Sequence, residues 1–342
     1  MTHKQRIVST ALIALVAVVL LILPEHEQVH SEWHTDKGKV FGTYYSIQYD
    51  SKEDLHDSIL AAFDAFDASL SMFNCSSIIA HINNGTDSVT DRFFVDMYRT
   101  AEDINERSHG AFDITVAPLV NLWGFGLKNK QHVTPEQVDS LMKHIGMQKT
   151  ALVEQSSEMY ILRKYDTQVQ LDAGAIAKGQ SCDMIAALLE RHGCSNYLVD
   201  IGGEVVAHGT NSHQQPWRIG ITRPIDDASG TINEVEKVLE STDIALATSG
   251  NYRNFYYDGE QKRSHTIDPR TGYPVQHSML SATVRSRSCM RADALATACM
   301  VLGADEALAM IEQDSVSACL LILAGGEQAD SIVIRTSSRW TD

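Results

Sequence analysis

Apolar positions change period several times along this chain, and each change predicts an element. Gly42 to Tyr49 (GTYYSIQY) alternates polar and apolar residues and predicts a strand. Leu55, Ile59, Leu60, Phe63 and Phe66 recur at helical spacing and predict a helix over 55–69. A second helix is expected from about Asp91 to Ser108, and Thr134-Pro135-Glu136-Gln137 is a capping-type start for a short one through Ile145. Val169 to Asp172 reads as a β-type segment, followed by the small turn Ala173-Gly174-Ala175. The helix after it places Met184, Ile185, Leu188 and Leu189 on one face and ends near Gly193. Tyr197–Ile201 and Glu204–Ala207 predict a hairpin about Gly202-Gly203. Further strands are expected at Trp217–Thr222 and Ser281–Val284. A helix over Ala292–Leu302 with Gly303 at its C-cap and another over Asp305–Gln313 complete the set. Hairpins beside helices predict an α+β fold, with mixed or antiparallel sheets flanked by helices.

The first residues follow another pattern. Lys4 and Arg6 precede an apolar run, Ile7 to Leu23, interrupted only by Ser9 and Thr10 and stopped by Pro24. At about 1.5 Å per residue this run reaches roughly 25 Å, somewhat short of a ~30 Å hydrocarbon core. Residues 1–24 are therefore expected to be a signal peptide or an N-terminal membrane anchor. The uncleaved anchor is favoured, because no small-x-small site follows closely. Basic residues on its N-terminal side favour that end staying in the cytoplasm, which puts the body on the extracytoplasmic, periplasmic side of an inner membrane. Residues 25–37, polar and rich in His, read as a linker, and 38–342 as the catalytic domain.

Composition narrows the function classes. The 342 residues carry 28 Lys+Arg against 44 Asp+Glu, a formal charge of −16, with 44% hydrophobic residues. Removing residues 1–30 takes away two bases (Lys4, Arg6) and two acids (Glu25, Glu27), so the body keeps the whole excess. Such a surface repels phosphate and excludes a generic nucleic-acid binder. A phosphate-bearing ligand then needs local cations, a metal or helix ends. The six cysteines show no zinc spacing, and buried free thiols are the expected state for several of them.

Four segments carry candidate chemistry. Gly110 to Leu119 runs into Trp123-Gly124-Phe125-Gly126, where small residues flank Phe112 and Asp113; this suits a flat ring on apolar walls, or else a buried loop with a cap Asp. Leu171 to Gly179 ends a β-type run in small residues before Lys178, which fits a phosphate cradle or a structural turn. Ser264 to Gly272 sets His265 beside a turn, as a general base or a hydrogen-bonded structural histidine. In Ala292 to Thr297, Asp293 and Thr297 are i, i+4 on one helix face. Both offer hard oxygen, and with a main-chain carbonyl and substrate phosphates they would make a Mg²⁺ shell; the alternative is a helix-capping Asp293.

Taken in order, these segments resemble the ApbE family of FAD:protein FMN transferases, from about Phe41 to Gly303. The resemblance rests on Gly42-Thr43-Tyr44, Leu70-Ser71, Phe112 to Thr115 with Trp123 to Gly126, Leu171-Asp172 through Lys178-Gly179, Val199 to Glu204, Thr248-Ser249-Gly250, Ser264-His265 to Gly272, and Ala292 to Thr297. It implies an ApbE-like, T-fold-like architecture. It also implies Mg²⁺-dependent transfer of the FMN moiety of FAD to a Thr or Ser of a target flavoprotein subunit of a membrane redox system, with AMP leaving. Phe41, Phe73 and Ala111-Phe112-Asp113 would then line the flavin, while Asp172, Lys178 and Thr266 hold the rest of FAD. Asp293, Thr297 and the main-chain oxygen of Ala175 would bind the metal, and His265 would take the acceptor's proton. Phe41 stands where the family often has Met, and Phe73 where Tyr is frequent; an apolar wall is kept and any tyrosyl hydroxyl contact is lost. The same resemblance allows water as acceptor, giving FMN and AMP, and a non-catalytic exported flavin-binding protein is a third alternative.

Overall fold

Alternation of apolar residues on both faces of one sheet organises the molecule in the computed structural model. The structure describes residues 32–126, 133–156, 159–226, 234–252, 254–259, 261–325 and 331–341. In chain order the strands are β1 (Glu32–Val40), β2 (Thr43–Ser51), β3 (Val89–Thr90), β4 (Thr150–Ser156), β5 (Met159–Lys164), β6 (Tyr197–Ile201), β7 (Glu204–His208), β8 (Trp217–Thr222), β9 (Val235–Ser241), β10 (Asp243–Gly250), β11 (Phe255–Asp258), β12 (Gln261–Ser264), β13 (Met279–Arg285), β14 (Ala318–Ala324) and β15 (Ile332–Thr336). The helices are α1 (His56–Leu70), α2 (Ile78–Asn84), α3 (Arg92–Arg107), α4 (Ala117–Leu122), α5 (Pro135–Met142), α6 (Ala177–Arg191), α7 (Cys289–Leu302) and α8 (Ala304–Glu312).

Eight strands form the main sheet in the order β1-β2-β6-β7-β10-β13-β14-β15. Each pairing from β2 through β15 is antiparallel. The two faces of β14 show what holds the layers together. Cys319 and Leu321 join the core under the helices, while Ala318, Leu320 and Ile322 join a second core beneath the β8–β9 hairpin. This is the period-2 consequence of the pleat. Helices thus cover one face and a hairpin the other, the α+β arrangement expected from the sequence. Helix α7 is buried over most of its length, as a central helix must be, with Arg291 and Asp293 its charged residues.

Three expectations need correction. Residues 32–37, read as the end of a linker, form most of β1. Two of their side chains are held by partners: Asp36 accepts from the Tyr45 hydroxyl at 3.1 Å and lies 2.8 Å from His56 Nδ1, while the His34 ring stacks on Tyr49. Val169–Asp172 is no strand beyond one parallel bridge, Val116 to Gln170. The main chain of Leu171 is taken by the Asn83 side chain instead, at 2.7 and 2.9 Å. Helix α5 stops at Met142 rather than Ile145, because tighter turns lead into Gly146 at φ 129°. Its start is as expected, with the reciprocal capping box between Thr134 and Gln137.

The apolar run before Pro24 and the first part of the expected linker lie outside the described residues. Among the described residues no helix is long and apolar enough to cross a membrane. All six cysteines are free, and all but Cys75 are buried.

Candidate active site

Helices α6 and α7 meet so closely that a Cβ on Gly179 would stand 2.3 Å from the main-chain oxygen of Cys289. Only glycine permits that approach, and it brings the first turn of α6 against the N-terminal turns of α7. Ile176 at the start of α6 provides no capping side chain. The Gly179 N–H donates instead to Asp293 Oδ2 at 3.0 Å. Asp293 thus does not cap its own helix; Ser288 fills that role, and Asp183 accepts from the N–H groups of Cys289 and Met290. Burial pushes the Asp183 carboxyl up to about 6 against those hydrogen bonds.

Asp293 is 2% exposed, in a helix buried over most of its length. Its Oδ1 lies 3.9 Å from Lys178 Nζ, and Lys178 in turn forms a tight ion pair with Glu204 Oε1. One turn along α7, the Thr297 hydroxyl lies 3.1 Å from Ser249 Oγ on β10. Burial is the first influence on Glu204 and pushes its carboxyl up to about 7; Lys178 opposes the rise and Asp293 adds to it. The two carboxylates outweigh the desolvation of Lys178 and raise its ammonium above the ordinary value.

These groups line a cavity of about 1360 Å³, larger than the roughly 300–1,000 Å³ of ordinary small-ligand sites. Ala175, Asp293 and Thr297 all line it, as do Asp172, Lys178, His265 and Thr266. So do Ala111, Phe112, Asp113 and Phe73, the last an aromatic ring 81% exposed at the rim. Phe41 is not among the lining residues. Its ring packs against Phe63 and Phe66, which hold it at φ 50° in the two-residue turn with Gly42.

Several side chains are already engaged. Asp113 Oδ1 accepts from the Thr115 N–H at 2.8 Å and the Thr115 hydroxyl at 2.6 Å, and Oδ2 from the Met147 N–H at 3.2 Å. The carboxyl thus ties the loop, and burial raises it above the usual carboxylate range. The Trp123 ring is buried and donates to the Gly272 carbonyl at 2.8 Å, so it joins two loops and is no stacking platform. Asp172 Oδ1 accepts from the Gly174 N–H at 2.8 Å and burial raises its carboxyl. The Thr266 hydroxyl donates to Asn251 Oδ1 at 2.7 Å.

His265 follows β12 and is partly exposed. Its Nδ1 lies 3.1 Å from the main-chain oxygen of Asn254. A carbonyl only accepts, so the ring proton sits on Nδ1 and Nε2 carries the lone pair. Burial lowers its proton affinity, and the nearby Lys178 lowers it further, which keeps the ring neutral near pH 7.

Among the described residues no three His, Cys, Asp or Glu side chains converge as a metal cluster. The cavity lining instead includes the Asp293 carboxylate, the Thr297 hydroxyl and Ala175, which brings a main-chain carbonyl. That hard-oxygen set suits a cation that draws the rest of its shell from a ligand and water. Glu204 and Asn254 are site residues that the sequence reading did not assign. Glu204 had a signal, as the one acid inside the otherwise apolar start of a strand; Asn254 acts through its main chain and left none.

A family model described as the ApbE family matches residues 41–321. The FAD:protein FMN transferase of Haemophilus influenzae is 35% identical over 298 residues, covering 83% of this chain and 85% of its own. The Escherichia coli protein of the same name is 31% identical over 334 residues, covering 93% and 94%. The solved flavin transferase ApbE from Vibrio cholerae superposes with a TM-score of 0.79 at 31% identity, over 90% of this chain and 98% of its own. The chain belongs to the ApbE family.

Proposed function

We propose that this protein is a Mg²⁺-dependent FAD:protein FMN transferase that joins the FMN moiety to a Thr or Ser hydroxyl of a target protein and releases AMP. The observation that carries the proposal is one cavity holding both an imidazole with Nε2 free and a buried carboxylate–hydroxyl pair one helical turn apart. Relatives named for this activity along almost the whole chain support it.

The chemistry follows from charge and proton balance. The acceptor oxygen bonds to the FMN-side phosphorus, the bond from that phosphorus to the bridging oxygen of AMP breaks, and AMP leaves with the electron pair. Nε2 of His265 takes the hydroxyl proton. In a chain of net charge −16, a diphosphate needs compensation, and Lys178 provides a fixed cation in the cavity. A Mg²⁺ held by Asp293, Thr297 and the Ala175 carbonyl would supply the remaining neutralisation of charge developing on the diphosphate. The backbone of Ala111 to Asp113, fixed by the Asp113 hydrogen bonds, presents a rigid wall to the flavin, and Phe73 offers an exposed ring beside it.

In this proposal the body works on the extracytoplasmic side of a membrane, held or exported by the segment before Pro24, and its targets are membrane redox subunits. The test is incubation of the full-length protein with FAD, Mg²⁺ and a purified flavoprotein subunit. Flavin fluorescence on the denatured subunit band supports transfer. Free FMN and AMP without label would replace transfer by hydrolysis.

A further inference from the structure

Lys178 sits between two buried carboxylates and is in hydrogen-bond contact with only one of them, the other ion pair being longer. Its ammonium is paired with Glu204 Oε1 and stands 3.9 Å from Asp293 Oδ1. Glu204 is the first residue of β7, 2% exposed, and its Oε2 has no hydrogen-bond partner. Burying a carboxylate with one oxygen unserved is costly, and a fold carries it only when the other oxygen has a strong partner. The strand fixes the position of Glu204, whereas the long lysine side chain can swing. Glu204 therefore decides where the ammonium rests.

We propose that Glu204 is a positioning residue that holds Lys178 away from Asp293 and so keeps Asp293 Oδ1 available to a divalent cation. The inference rests on the metal reading given above. Without Glu204, the nearest anion for Lys178 is Asp293 Oδ1. The ammonium then occupies the oxygen that the cation needs, because Oδ2 is committed to the Gly179 N–H. With Glu204 in place, the same ammonium stays in the cavity as a separate positive charge for a diphosphate. An acid at this strand position thus serves cation binding without touching the cation.

Simple charge loss and ammonium capture both weaken cation binding when Glu204 is neutralised, so one variant alone does not separate them. A double-mutant cycle does. Mn²⁺ binding to the full-length protein, followed by electron paramagnetic resonance without FAD, is measured for wild type, Glu204→Gln, Lys178→Met and the double variant. Glu204→Met substitutes for Glu204→Gln if the latter does not fold. Capture predicts that Glu204→Gln weakens Mn²⁺ binding about tenfold, within the usual range of coupling between sites. It also predicts that adding Lys178→Met restores the affinity to that of Lys178→Met alone. If Lys178→Met raises affinity by the same factor with and without Glu204, the carboxylate contributes charge alone and the inference is overturned. Asp293→Ala separates the underlying reading: if it binds Mn²⁺ as wild type does, or if wild type shows no saturable binding, the metal site itself is wrong and the inference falls with it.

Discussion

The Gly179 N–H donates to Asp293 Oδ2 at 3.0 Å, so the start of α6 and the second turn of α7 are joined through a buried carboxylate. One short bond thus couples the packing of two helices to the placement of the proposed metal ligand. Gly179→Ala should break both. Alanine is the better helix former by about 1 kcal/mol. Here, however, its Cβ would meet the Cys289 carbonyl at 2.3 Å and the Asp293 Cβ at 2.8 Å. Overpacking of this kind costs about 1–3 kcal/mol. Urea unfolding should show a net loss despite the helical propensity, and the half-saturating Mg²⁺ concentration should rise.

His265→Ala should slow flavin transfer about 10²–10⁴-fold, the usual contribution of a positioned base. FAD affinity, read by flavin fluorescence, should change little, since the role proposed for that ring is toward the acceptor's proton. The wild-type pH profile carries the sign. Burial holds the ring below its ordinary value near 6.5, so the base is free at pH 7 and activity falls as pH drops through the lower folded value. The variant should lack that acid limb. Equal losses in binding and rate would remove His265 as the base.

Arg291→Met should destabilise the fold without touching the cavity. Arg291 is 4% exposed and pairs with Asp103 and, at 2.6 Å, with the buried Asp314. Removing the cation strands a carboxylate, which typically costs about 3–5 kcal/mol. Burial alone would raise both carboxyls, but hydrogen bonds from Arg291 outweigh it and hold them below the usual range. Their stabilisation is then complete above the unfolded carboxyl value near ~3.9 and is lost as pH falls through the lower folded values. The gap between wild type and variant in denaturant unfolding should close in that acid window.

Thr297→Val keeps shape and removes one hard oxygen. Stability should fall by no more than about 1 kcal/mol, the net worth of the hydrogen bond to Ser249. Titration of transfer rate against Mg²⁺ should shift to higher concentration. An unchanged titration would make the hydroxyl a packing group.

Much of this was legible in the sequence where local rules and tertiary context agree. The helix over 92–107, the hairpin about Gly202-Gly203 and the Thr134 capping box each followed from period or cap chemistry. Asp293 and Thr297 could be placed on one face from spacing alone. What escaped was decided by distant partners. Leu171 looked like a strand, and Asn83, far away in the chain, took its main chain instead. Phe41 looked like a wall for a ring, and Phe63 and Phe66 claimed its face. The acidic, His-rich stretch before Val40 looked solvated because composition does not reveal that Tyr45 and His56 satisfy Asp36. For Asp113 the sequence left a ligand wall and a buried loop both open; its carboxyl ties the loop while the residue lines the cavity, and the Trp123 N–H goes to the Gly272 carbonyl.

The most direct test of the account is the appearance of covalent flavin on a target subunit, in MgCl₂ and in EDTA, for wild type and Asp293→Asn. The account predicts label from wild type in magnesium, none in EDTA, and a loss of on the order of 10²-fold or more in the variant, since that carboxylate would hold the metal that neutralises the diphosphate. Equal labelling in EDTA, or by the variant in magnesium, would contradict it.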